Sequence, residues 1–441
     1  MTILEIINQL GKQRHFFIKS QGTSMLPTIH PNDVVYLKKV SFGQIKINDI
    51  VLAQKNKKYF IHRVIYKSPS PSPQGWYSSY TPGVYLITKG DNAAKSDGKI
   101  LPRQIIAKVY QIKRNSQVFK PDDINLMQST LYFQEIIKLK NIWQKQKIDF
   151  VYLKGLPLHL FIEKSHPKRF YADCDILVDP KDYDKIEKVL LEMKYKKADS
   201  AFSPTFAKLK DKPTEVSYYK KVNNFPVVFD IHFEPVFLMN QLGSLEALYP
   251  QELINQMTRM FLAEKRIVKI QNENFPLLSP GNLIIYLALH FFHHNFRGIY
   301  RLELLGRVVR KVSLVPPPRG STLHTPEVYL SLAKKIKDYR LQNFVNPAFI
   351  LLNKYFNTPI SRDILDSITP DKNKLNYIKN NNLKVNVFSD QSRTEAGVER
   401  FKNIFYLSSE PFIKKLLIFT SLAVIYSIFW TLYRRLKRPH L

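Results

Sequence analysis

Gln21-Gly22-Thr23-Ser24-Met25-Leu26-Pro27-Thr28 sets one serine between a small-residue turn and a Met-Leu-Pro corner, two dozen residues into a chain of 441. A serine hydroxyl is a weak nucleophile until a base lies within hydrogen-bond reach, so a chemical role for Ser24 requires a partner from elsewhere in the sequence. The surrounding sequence alternates short apolar or period-two runs with Gly, Pro, Asn and Asp turns. Phe16–Ile18, Val34–Leu37, Asp49–Ala53, Tyr59–Tyr66, Val84–Thr88 and Ile105–Ile112 read as strands, and residues 16–113 as an all-β unit. Ser68–Gly83, with four prolines, reads as a surface excursion between two strands.

The base is offered by His62, in a strand whose Phe60, His62 and Val64 share one face. A neutral imidazole there can take the serine proton and return it to a leaving amine. Ile87-Thr88-Lys89-Gly90-Asp91-Asn92-Ala93-Ala94-Lys95-Ser96-Asp97 then supplies Asp91 and Asp97, either of which suits the orienting acid.

Taken in order, Gly22-Thr23-Ser24-Met25-Leu26-Pro27, Asn48-Asp49-Ile50-Val51, His62-Arg63-Val64 and Lys89-Gly90-Asp91-Asn92 with Asp97 resemble the boxes of the signal peptidase I superfamily. Histidine at the base position is similar to the branch of that family that uses His rather than Lys. The resemblance implies a serine endopeptidase acting on a peptide or protein, with Ser24 as nucleophile, His62 as general base and Asp97 as orienting acid. Asp91 then belongs structurally to its Gly-Asp-Asn turn, and the Ser24 amide contributes to the oxyanion hole. Members of the family ordinarily carry a membrane anchor ahead of the serine; here Met1–Leu10 reads as a short amphipathic helix without the apolar core of a signal peptide.

From Ile124 the pattern changes to helices of 3.6 period, as in Met127–Gln144 and Tyr183–Met193, mixed with the strands Phe150–Leu153, Asp173–Val178 and Val227–Phe233. Asp173 and Asp175, two apart on a strand, project from one face, and Asp230 adds a third carboxylate on another apolar strand. Three such acids are what a two-metal phosphoryl-transfer site requires. With Tyr152-Leu153-Lys154-Gly155 ahead of them, these residues resemble an uncharacterised nucleotidyltransferase family of the polymerase-β-like superfold, over residues 126–310. That resemblance implies Mg²⁺ held by Asp173, Asp175 and Asp230 and a nucleoside triphosphate, with Gly155 admitting a phosphate and Lys154 or Arg169 neutralising it. Lys154-Gly155 stands where the superfold usually has Gly-Ser. His290, His293 and His294 fall on one helical face and suit either ligation or a core between aromatics.

The expected organisation is therefore multidomain: an all-β signal-peptidase-like domain over 1–115, a linker over 116–125, an α/β nucleotidyltransferase-like domain over 126–310, a helical extension over 311–412, and a hydrophobic helix over 413–438. The last expectation rests on Leu416–Tyr433, 18 uncharged residues flanked by Lys414-Lys415 and by Arg434-Arg435-Leu436-Lys437-Arg438. A buried or interfacial helix is the alternative. Sixty-seven Lys and Arg against 36 Asp and Glu give a net charge of +31, which favours acidic partners: nucleotide phosphates, an anionic membrane face or, without a recognised motif, nucleic acid. A single cysteine, Cys174, excludes an internal disulfide and suits a reducing compartment. These features together predict a membrane-associated protein with cytoplasmic domains.

Overall fold

The computed structural model describes residues 15–68, 83–93, 95–198, 214–235, 249–313, 327–356, 358, 360, 362–391, 393–408 and 411–419. The expected N-terminal helix and most of the Ser68–Gly83 excursion lie outside these residues.

Eight strands form the first sheet: β1 His15–Lys19, β2 Val34–Lys38, β3 Ile50–Lys55, β4 Lys58–Lys67, β5 Leu86–Lys89, β6 Lys99–Ile100, β7 Ile105–Arg114 and β8 Gln117–Phe119. Their order is β1-β2-β7-β3-β4-β5-β6, with β8 on β7. The central strand β3 is apolar on both faces because both are covered. Ile50 and Leu52 join a cluster with Met25, Ile29, Val35 and Val109, while Val51 and Ala53 join Val64, Leu86 and Ile100 on the opposite side. Full burial of each such Val, Leu or Ile side chain contributes about 1.5–3 kcal/mol. The pairing of Val51 with His62 places His62 on the second of these faces.

No polar linker separates this sheet from the rest of the chain. Where residues 116–125 were expected to form one, β8 pairs with β7 and a long helix, α1 Pro121–Lys145, begins at once. Ile124, Leu131 and Phe170, and Phe225 from the next sheet, then pack into the first core, so burial favours docking over separation.

The second sheet contains β9 Phe150–Tyr152, β10 Cys174–Val178, β11 Lys196–Lys197, β12 Glu215–Val222, β13 Phe225–His232, β14 Arg266–Ile270 and β15 Glu273–Leu277, in the order β11-β12-β13-β10-β9-β15-β14. It is mixed: β10 runs parallel to β13 and antiparallel to β9. Strand β10 is buried at every position, as expected for a strand covered on both faces. Helices α2 Leu156–Glu163, α3 Tyr183–Glu192 and α4 Gln251–Ala263 accompany this sheet, and α5 Pro280–His293, α6 Ile299–Ser313, α7 Glu327–Asp338, α8 Gln342–Phe356, α9 Arg362–Ser367, α10 Lys372–Asn380, α11 Arg393–Leu407 and α12 Phe412–Phe419 form the helical C-terminal region. One apolar core runs continuously from Tyr66 and Tyr85 of the first sheet through the second sheet into these helices.

The expected membrane association is corrected by this region. Among the described residues no helix is long and apolar enough to cross a membrane. The described part of the expected segment, α12, has eight residues. Lys415, read as a flanking charge, is buried, with its ammonium donating to the carbonyls of Phe405 and Ser408 at 2.8 and 2.9 Å. Residues 420–438 lie outside the described residues.

Candidate functional sites

Ser24 sits in a turn closed by Leu26 N–H donating to Thr23 O (3.2 Å) and Ile29 N–H to Met25 O (2.9 Å). Met25 and Ile29 are buried and Ser24 is exposed, so the apolar side chains anchor the turn while the hydroxyl points outward. His62 Nε2 lies 3.0 Å from Ser24 Oγ, and His62 Nδ1 lies 2.7 Å from Asp97 Oδ2. A carboxylate oxygen only accepts, so Nδ1 carries the proton and Nε2 is left to accept the serine hydroxyl. Thr88 Oγ1 donates to the same Asp97 oxygen at 2.7 Å; the spacing of the sequence motifs does not single it out, although it opens the stretch that supplies both acids.

The loop after β5 completes this geometry. Ser24 O accepts from Asn92 N–H at 2.8 Å. A Cβ on Gly90 would lie 2.6 Å from Ser24 O, closer than real Cβ contacts come, and 3.0 Å from His62 Nε2, so glycine is the residue that fits between serine and base. Asp91 is turned away from His62: Arg63 donates to it twice, through Nε at 2.7 Å and Nη2 at 2.6 Å. Arg63 is 2% exposed and also donates through Nη1 to Asn48 O and Lys168 O, at 3.0 and 2.9 Å. The buried bidentate pair fixes the loop to the strand of the base and ties both to the segment leading into β10. Of the two acids left open by spacing, the fold gives His62 to Asp97.

The second constellation is arranged differently. Asp175 lies directly beside Asp230 in the parallel β10–β13 register, while Asp173 immediately precedes β10 and keeps 44% of its side chain open to solvent. Lys154 Nζ lies 2.6 Å from Asp175 Oδ2 and 3.7 Å from Asp173 Oδ2. His232 Nε2 lies 3.1 Å from Asp175 Oδ1 and His232 Nδ1 lies 3.8 Å from Glu215. Burial alone would raise the Asp175 carboxyl, but the Lys154 charge and the His232 hydrogen bond override it and hold it well below the usual carboxylate range. Burial opposes charge on Lys154 and His232 too; the aspartates keep Lys154 above its ordinary value, and Glu215 and Asp175 raise His232 to about 9. Asp230, desolvated and beside the Asp175 charge, is pushed up to about 7.

The three aspartates are not gathered around one point in this structure. Among the described residues no three His, Cys, Asp or Glu side chains converge as metal ligands, and the Lys154 ammonium sits between the two carboxylates where the cation was expected. In this structure Asp175 is instead held by Lys154 and His232, while Asp230 lies beside it with its Oδ1 buried and without a hydrogen-bond partner among the described residues. The physical reason is that a buried carboxylate needs a counter-charge, and Lys154 and His232 supply it internally. His232 lies two residues beyond Asp230 on one strand face, the signal from which its membership was legible.

Gly155 adopts φ 98°, and a Cβ there would lie 3.1 Å from Cys174 Cα and 3.2 Å from Asp173 O, so its side-chain-free backbone packs against the start of β10. Arg169 donates to Tyr171 OH at 3.2 Å and covers the Tyr171 ring at 4.6 Å. His290 and His294 have their ring centroids 4.9 Å apart; burial, reinforced by the charge of Arg301, lowers both.

No curated protein matches the chain. Among solved structures, the crystal structure of an antigenic nucleotidyltransferase-like protein from Paracoccidioides brasiliensis matches at 12% identity and a TM-score of 0.26, over 54% of this chain and 98% of that one. Residues 122–308, which carry Lys154, Asp173, Asp175 and Asp230, match the model of a family described as uncharacterised nucleotidyltransferase, and this part of the chain is a nucleotidyltransferase-like domain.

Proposed function

We propose that the first sheet carries a serine peptidase of the signal-peptidase type, joined to the nucleotidyltransferase-like domain and acting on a peptide or protein. The observation that carries this reading is the hydrogen-bonded series Ser24 Oγ, His62 Nε2, His62 Nδ1, Asp97 Oδ2 at 3.0 and 2.7 Å. Ser24 Oγ attacks a peptide carbonyl as its proton passes to His62 Nε2. The tetrahedral oxyanion gathers at the Ser24 amide, and collapse expels the amine, which takes the proton from His62. The remaining ester is hydrolysed by water, deprotonated by the same nitrogen, and releases the acid and free Ser24.

For the second domain, nucleotide binding is the reading its family match supports, and Lys154 and Arg169 are the cations available to a phosphate. Two roles are distinguished: a nucleotidyltransferase, and a nucleotide-binding or scaffolding module that recruits the peptidase substrate. The Lys154–Asp175 pair favours the second, because it fills the cation position from within.

A fluorophosphonate probe with mass-spectrometric site mapping tests the first part. Ser24 is expected to be labelled in the wild type and the label lost in Ser24→Ala and His62→Ala with the fold intact; labelling that persists in both variants removes the dyad. Nucleotide titration with Mg-ATP of the wild type and of Asp173→Ala/Asp175→Ala tests the second. Equal binding and no nucleotidyl transfer in either leaves recruitment as the domain's role.

A further inference from the structure

The loop that carries Asp97 is held from the far end of the chain. Residues 386–391, between α10 and α11, cross from the helical region onto the first sheet. Val387 O accepts from Gly298 N–H at 2.9 Å, and Ser389 Oγ accepts from Arg297 Nη1 at 3.0 Å. Phe388 packs edge-on against Tyr85 and Tyr355, with centroids 5.4 and 5.6 Å apart. This anchoring delivers Asp390, 10% exposed, to the β5–β6 loop. Asp390 Oδ2 accepts from Ser96 N–H at 2.9 Å, while Oδ1 lies 3.6 Å from Arg301 Nη1 on α6.

We infer that Asp390 is a positioning residue for the Ser24 site, so that the C-terminal helical region sets the geometry of the peptidase acid; the inference rests on the Ser24 reading above. Ser96 immediately precedes Asp97. Asp97 N–H donates to Thr88 O at 2.8 Å, its carbonyl accepts from Lys55 Nζ, and its carboxylate meets Thr88 and His62. The residue before it has one tertiary tether described, the Asp390 carboxylate. Surface loops are otherwise the mobile part of a fold, and the orientation of the imidazole depends on where its acid partner stands. A charge-assisted hydrogen bond from a segment fixed by Phe388 holds that point to the body of the second domain. Misplacement of an orienting group by about 1 Å is enough to cost up to 10²-fold in rate.

The test is the second-order rate of fluorophosphonate labelling at Ser24 in the full chain, with thermal unfolding as control. Asp390→Ala is expected to lower the rate about tenfold, whereas Asp390→Asn, which keeps an acceptor oxygen for Ser96 N–H, stays within about threefold. In an Asp97→Ala background Asp390→Ala adds less than about twofold, because the two act through one group; a merely structural role would lower the rate in both backgrounds. Hydrogen exchange on the wild type requires no variant: the Ser96 amide is expected to be protected, and exchange at the rate of an open loop overturns the inference. So does wild-type labelling by Asp390→Ala. Absence of Ser24 labelling in the wild type itself overturns the peptidase reading, and this inference with it.

Discussion

The Ser24 site and the Asp173–Asp175–Asp230 site solve opposite electrostatic problems. At Ser24 the polar groups form an open series that ends at an exposed hydroxyl, with one acceptor nitrogen aimed at one donor. At Asp175 the contacts are closed, its two carboxylate oxygens facing Lys154 and His232. An open series leaves an atom free to react with something from outside; a closed one neutralises itself and stabilises a buried sheet. The family match falls on the closed site, while the geometry suited to bond making belongs to the sheet before it.

That contrast breaks most readily at Ser24. Ser24→Ala and His62→Ala are each expected to lower labelling or cleavage at least about 10³-fold while leaving the unfolding temperature close to that of the wild type, as measured by calorimetry. Loss of activity together with the fold would instead make Ser24 part of the scaffold.

Lys154→Met probes the closed site, where the expected loss is stability. Removing one partner of a buried pair strands the other, at a cost of about 3–5 kcal/mol. Denaturant unfolding measures it, and a change below about 1 kcal/mol would show that Asp175 is balanced without Lys154.

Gly90→Ala separates the sites most sharply. Its methyl would meet Ser24 O and His62 Nε2, so labelling is expected to fall about 10²-fold, the scale of a small displacement at the reacting atoms, with nucleotide binding by the second domain unchanged. Equal loss of both functions would argue against two independent centres.

The smallest effect concerns His159, on α2. Burial, reinforced by the Arg169 charge, lowers it to about 4 from its ordinary 6.5. A base depressed in the folded state contributes stability that is fully present above pH 6.5 and lost as pH falls from about 6.5 through about 4. Partial exposure discounts the contribution to about 1–2 kcal/mol. His159→Gln is expected to flatten the unfolding midpoint across that window, and an unchanged acid slope would assign it to other groups.

The Ser24 elements were legible in the sequence because each is encoded locally: a turn, a period-two strand and a Gly-Asp-Asn loop. The choice between Asp91 and Asp97 was not, since both stand on that loop and only the Arg63 guanidinium, donating twice to Asp91, separates them. Phosphoryl-transfer spacing was equally legible at Asp173, Asp175 and Asp230, yet spacing carries no information about which side chain fills the gap between them. Lys154 does so because the chain after β9 brings its ammonium over β10. The expected linker at 116–125 and the expected flanking role of Lys415 failed alike: polar composition reads as exposure, but β8 finds a ladder partner in β7 and Lys415 finds two carbonyls.

By itself the sequence determined the longer strands of the first sheet, the strands that carry the aspartates, the apolar faces of β3 and β10, and the residue types able to act as nucleophile, base and acid, because periodicity and turn chemistry are local properties. The tertiary structure decided which of those residues meet. Hydrogen bonds and ion pairs form over about 3 Å between side chains tens to hundreds of positions apart, as between Ser96 and Asp390, and chain order alone does not fix such distances.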